Sequence, residues 1–221
     1  ELCRAMLERA AARGLVFTPT LVFSFLAPDE VAAMGASWPD WPQDGSCQLH
    51  LRQFEGVDPQ VIADFRLSRA DLTRRFVDAG VVLLAGTDGP EGCAPPGIAL
   101  AIELELMAEG GLSPLEVLQA ATLRPSVAFG YADRYGVLEP GYAADIVVLQ
   151  SNPLTDIRAV RAIGGVFSND TWLPHETLDV MIAEALAMSG RAEAALATAR
   201  SIEMPGLRVS ALTAIVPHLP E

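Results

Sequence analysis

The run Val81-Val82-Leu83-Leu84-Ala85-Gly86-Thr87-Asp88-Gly89-Pro90 constrains this chain more than any other stretch. Its apolar residues predict a short buried strand, which ends on a single carboxylate before glycine and proline open a loop. Barrel enzymes use a carboxylate at the carboxyl end of a strand to reach a metal or a substrate, which makes Asp88 the leading catalytic candidate. Asp-Gly also favours turns anywhere, so these ten residues alone leave open that Asp88 only caps a turn.

At 221 residues the chain can bury a real core, as one large domain or as a domain with an appendage. No apolar run approaches the ~20 residues that span a bilayer, and the amino end lacks a signal-peptide pattern, so no membrane partner is expected. All 15 basic residues are arginine and the net charge is −13, which argues against nucleic acid as a partner. Cys3, Cys47 and Cys93 are odd in number and form no C-x-x-C pair. Neither a disulfide scaffold nor a structural zinc site is expected, and a reducing, cytoplasmic setting fits best. The chain begins at Glu1 inside a helical pattern, which suggests a piece of something longer.

The first helix is predicted from Leu2 to Arg13, with Gly14 as its stop and a strand from Leu15 to Thr18. Residues 35–57, with Trp38 and Trp41, have no period and read as a long excursion, either a lid or a surface insertion. Asp58-Pro59 caps a helix that Gly80 closes, and the Asp88 strand follows. A helix near Ala99–Glu109 comes next, then one started by the capping box Ser113-Pro114-Leu115-Glu116 and ended by Pro125. This alternation predicts a parallel sheet or a (β/α) barrel. After Gly130 the pattern changes: Glu139-Pro140-Gly141 turns, Asp145–Leu149 is a strand, and a weaker one lies around Ala162–Phe167. From Glu176 onward the chain is helical, broken at Gly190 and Pro205-Gly206. The segments Arg191–Glu203 and Leu207–Val216 read as a hairpin.

Several ordered motifs carry a family resemblance: Ala-Gly-Thr-Asp at 85–88, Glu-Leu-Glu-Leu-Met at 103–107, Gly-Leu-Ser-Pro-Leu-Glu-Val at 111–117, Ala-Ala-Thr-Leu-Arg-Pro at 120–125, and Gly-Val-Leu-Glu-Pro-Gly-Tyr-Ala-Ala-Asp-Ile-Val-Val-Leu at 136–149, then Asn-Pro-Leu-Thr-Asp-Ile at 152–157. Together they resemble the carboxyl-terminal part of the metal-dependent amidohydrolase superfamily, in its imidazolonepropionase and Xaa-Pro dipeptidase branch. The resemblance implies an α/β fold: the last two strands of a distorted (β/α)8 TIM-like barrel, seventh at Leu15–Thr18 and eighth at Val81–Ala85, plus strands of a small β-sandwich and a helical tail. The corresponding divisions are residues 1–130 for the barrel part, 131–175 for the sandwich strands and 176–221 for the tail. It also implies one or two divalent metals, usually Zn2+, a small amide or dipeptide-like substrate, and Asp88 as metal ligand and proton shuttle.

The family's remaining ligands do not map onto this sequence. His50, His175 and His218 are isolated, there is no lysine to carry a bridging carbamate, and one carboxylate cannot hold a catalytic zinc that takes three protein ligands. The expectation is therefore an amidohydrolase fragment, inactive as an isolated chain and prone to self-association through unpaired strand edges. The alternative is a non-catalytic amidohydrolase remnant whose helical tail is an interaction module. Glu91 and Cys93 read as ordinary loop residues, and Arg124 as a cation at the negative end of a helix.

Overall fold

The computed structural model describes residues 2–22, 47, 51–52, 54–89, 97–188 and 190–219. They fall into two compact units, one drawn from residues 1–37, 41–143 and 152–161, the other from 38–40, 144–151 and 162–221. The predicted excursion at 35–57 lies largely outside the described residues.

In the first unit, helix α1 (Leu2–Ala12) is followed by Gly14, whose φ of 70° reverses the chain into strand β1 (Val16–Phe17). Helix α2 (Pro59–Asp78) starts where the Asp58 side chain accepts the Gln60 amide at 2.8 Å. It stops at Gly80, with φ of 84°, whose amide donates to the Val77 carbonyl at 2.9 Å. Strand β2 (Val82–Leu83) then runs parallel to β1, with Val16 opposite Val82 and Phe17 opposite Leu83. The Leu84 amide extends the ladder to the Phe17 carbonyl at 3.0 Å. Phe17 stacks on Phe76 at 4.2 Å between ring centres, which seats α2 on the strand pair. A strand, a helix and a parallel strand in that order make up the α/β alternation that the sequence predicts.

Helix α3 (Ile98–Glu109) buries Ala99, Ile102, Leu104, Leu106 and Met107, and with them Glu103. Helix α4 (Pro114–Ala121) begins in the expected capping box: the Glu116 amide donates to Ser113 Oγ, and the Ser113 amide donates to Glu116 Oε2 at 2.8 Å. Pro125 does not end this helix. The break comes at Thr122 (φ −131°, ψ −82°), and Pro125 lies in the first turn of a new helix, α5 (Leu123–Ala128), where its missing N–H is no loss. Arg124 accordingly sits just past α4 rather than at the end of a helix running to Pro125, and it donates to Gln119 Oε1 at 3.3 Å. A 3-10 turn at Ile157–Arg161 closes the unit through the Arg161 guanidinium, which pairs with Glu105 of α3.

In the second unit, β3 (Ile146–Leu149), β4 (Ile163–Ser168) and β5 (Thr171–Pro174) form an antiparallel sheet in that order. Strand β5 adds to the two strands read from sequence. Asn169 and Asp170 take φ of 48° and 59°, the two-residue primed turn that joins tight hairpins. Helices α6 (His175–Met188), α7 (Ala192–Ser201) and α8 (Pro205–Ile215) follow, the first break at Gly190 as predicted and the second at residues 202–204, so that Pro205 and Gly206 open α8 rather than interrupt the helix. Their shared core is built on small residues: Ala183, Ala187, Ala195, Ala199 and Ala211, closed by Leu186, Ile202 and Ile215. Among the described residues no helix is long and apolar enough to cross a membrane. Cys47 is buried and disulfide-bonded. The cysteines are therefore not all free, although one bond does not make the disulfide scaffold that their number and spacing argue against.

Candidate active-site strand end

The strand that ends in Asp88 is held from two sides. The Leu84 amide bonds to β1, and the Ala85 amide donates to the Ala120 carbonyl at 2.9 Å, tying the strand to the last turn of α4. Gly86 then passes so close to the chain after β1 that a Cβ placed there would stand 2.6 Å from Thr18 Cγ2. Thr87 Oγ1 accepts the Gly89 amide at 3.3 Å and shapes the turn. Asp88 itself is exposed and has φ of 51°, the left-handed region that non-glycine residues enter at some cost.

A carboxylate exposed past the carboxyl end of a parallel strand is placed to meet a ligand. Asp88 lines neither of the two described clefts: the larger, about 510 Å³, lies along α1 and α2 between Arg4, Glu8, Arg75 and Asp78. Those charges are already paired along their own helices, Arg4 with Glu8 at 2.9 Å and Arg75 with Asp71 at 2.7 Å.

The other candidate residues do not gather around Asp88. His50, Glu91 and Cys93 lie outside the described residues. His175 opens α6 in the second unit, 3.6 Å from Asp179, and His218 is exposed in the last turn of the chain. Among the described residues no three His, Cys, Asp or Glu side chains converge on a point that could hold a metal ion. The residues in view therefore do not make a metal centre: Asp88 could supply one oxygen ligand where a catalytic zinc needs three protein ligands.

Glu103 was not among the sequence candidates. It sits in α3 with no exposed surface, and burial pushes its carboxyl up to about 7, against the opposing pull of the Val22 and Leu21 amides and of Arg69. Its one sequence signal is a carboxylate that interrupts the apolar run Ile98-Ala99-Leu100-Ala101-Ile102 at the start of this helix. Glu116 shows the reverse shift. The Ser113 amide and hydroxyl, and then Arg74, hold its carboxyl below the usual range.

Residues 67–173, from within α2 to β5, match the amidohydrolase family. The chain carries part of an amidohydrolase-family domain. It is 40% identical to ochratoxinase of Aspergillus niger over 155 residues, which cover 68% of this chain and 27% of that protein. It is 32% identical to imidazolonepropionase of Geobacillus kaustophilus over 157 residues, covering 67% of this chain and 36% of that enzyme. The crystal structure of a Xaa-Pro dipeptidase superposes with a TM-score of 0.50 at 18% identity, over 76% of this chain and 42% of that one, which shows a common fold. The family expected from the motifs is thus the family found, and an α/β, barrel-like fold goes with it. The chain spans only between 27% and 36% of the length of these two curated relatives.

Proposed function

We propose that this chain is the carboxyl-terminal part of a metal-dependent hydrolase that cleaves a carbon–nitrogen amide bond, with Asp88 as its contribution to the reacting centre. In this reading β1 and β2 are the seventh and eighth strands of a (β/α)8 barrel, and β3 to β5 belong to the small sandwich beside it. One observation carries it: Asp88, at the end of a family motif, stands exposed past the carboxyl end of a strand that runs parallel to its neighbour, where the loop opens.

A divalent metal, Zn2+ by family resemblance, would supply an activated water when bound. The part of Asp88 is its own. As an exposed carboxylate it can offer one oxygen as a ligand and, with the other, accept the proton of the attacking water and return it to the departing amine. The substrate class is a small amide or a dipeptide-like molecule.

Zinc analysis of the 221-residue chain after metal loading tests this division of labour. The expected result is weak, substoichiometric zinc that falls further in Asp88→Ala. A tight stoichiometric site that survives the substitution would contradict it. A second reading, a non-catalytic remnant with a helical interaction module, is favoured by one feature: α6 to α8 have a core of their own. Amide hydrolysis by the whole, metal-replete protein to which this chain is proposed to belong, across a panel of N-acyl amino acids and dipeptides, rules out this second reading; no hydrolysis of any of them by that protein supports it.

A further inference from the structure

Residues 18–22 follow β1 at the same end of the parallel pair as Asp88, and two contacts fasten them, one buried and one partly buried. Glu103 Oε2 accepts the Val22 amide at 2.8 Å, with the Leu21 amide also facing the carboxyl. From the other side, Arg69 Nη2 donates to the Pro19 carbonyl at 2.9 Å. Between these anchors Thr20 is held at φ of 46°, and Pro19, Leu21 and Val22 are buried. Thr18, at the head of the segment, is the residue against which Gly86 packs, two positions before Asp88.

Burying a carboxylate is costly, and Glu103 Oε1 has no hydrogen-bond partner among the described residues. A leucine of similar volume would fill the same space without that cost, yet it would leave the Val22 amide buried and unpaired. The neighbouring carboxyl, Glu105, pairs with Arg161 instead, so the helix gives one acid to each task.

We propose that Glu103 is a positioning residue for Asp88. Its carboxylate clamps residues 18–22 in place, and the Thr18–Gly86 contact passes that constraint to the backbone that presents Asp88. The inference rests on the reading of Asp88 given above, but its test involves no turnover. Amide hydrogen exchange and the carboxyl carbon signal of Asp88 are followed by NMR in the 221-residue chain and in Glu103→Leu and Glu103→Gln.

In Glu103→Leu, exchange at Val22 is expected to quicken by about tenfold or more, with a change in the position of the Asp88 carboxyl signal. Glu103→Gln keeps a weaker, neutral acceptor and should give a smaller change of the same kind. Amides of α6 to α8 should exchange as in the parent in both variants. If the leucine variant does not fold, the glutamine variant decides alone. Parent-like exchange at Val22, or an Asp88 signal that ignores the substitution, overturns the proposal. Loss of the clamp would leave the hydrolase reading standing. Full turnover by Asp88→Asn in the whole, metal-replete hydrolase would sink that reading and leave the exchange result intact.

Discussion

Asp88 and Glu103 are two carboxylates in opposite settings, and each yields a prediction. Asp88 is exposed and left-handed, so its backbone rather than its packing decides what can replace it. Glycine should be accepted there with a change in unfolding free energy of less than about 1 kcal/mol, whereas a β-branched valine should lose about 1–2 kcal/mol. Urea melts of Asp88→Gly and Asp88→Val check the order; equal stability of the two would mean that the left-handed conformation is not held.

Glu103 is buried with its carboxyl raised to about 7, so the folded chain binds a proton there that the unfolded chain has released above its ordinary value near 4.5. Its contribution to stability is therefore fully present below 4.5 and is lost as pH rises toward 7. Arg69 on α2 is the cation facing it, while Arg161 is taken up by Glu105. The stability of Glu103→Gln relative to the parent should climb over this interval by on the order of 3 kcal/mol. A difference between the two melts that stays flat with pH would refute the assignment.

At the scale of elements, what the sequence made legible is what neighbours in sequence decide. Gly14, Asp58, Gly80, Ser113 with Glu116, and Gly190 each mark an end through a cap or a left-handed turn that involves residues a few positions apart. The break at Thr122 escaped, because proline three residues on is as comfortable starting a helix as following one. Strand β5 escaped because the Asn169-Asp170 turn lacks the usual glycine, and the burial of Glu103 because the Val22 amide it accepts lies 81 residues away. Asp88 was legible as a position, from the strand and the loop around it. That it would be left-handed was not. Within the sheet, a Cβ on Gly165 would stand 2.2 Å from Trp172 and 3.0 Å from the Leu173 carbonyl, so the indole lies directly over bare backbone. Gly165→Ala should therefore cost about 1–3 kcal/mol, seen as a lower melting temperature with a shifted indole fluorescence. An unchanged melt would mean that Trp172 does not lie on β4.

For the whole molecule, the two units differ in what they need. The helical part of the second unit closes its own core, whereas β1 and β2 pair only with each other among the described residues, and Val16 and Val82 are exposed on them. A two-stranded parallel pair is marginal alone, and its free edges are templates for further strands. The 221-residue chain is therefore expected to self-associate, with an elution volume in size-exclusion chromatography that moves with concentration. A concentration-independent monomer with a sharp melt would show that the pair suffices as it stands.

Across these scales the central claim concerns a single side chain, and the most direct measurement is the turnover of an amide substrate by Asp88→Asn in the whole, metal-replete hydrolase of which this chain is proposed to be the carboxyl-terminal part. The substitution tolerates the left-handed backbone but can neither take up nor return a proton. The account predicts that kcat falls by about 10²–10⁴ with an unchanged circular dichroism spectrum. A variant that turns over at the rate of the parent would contradict it.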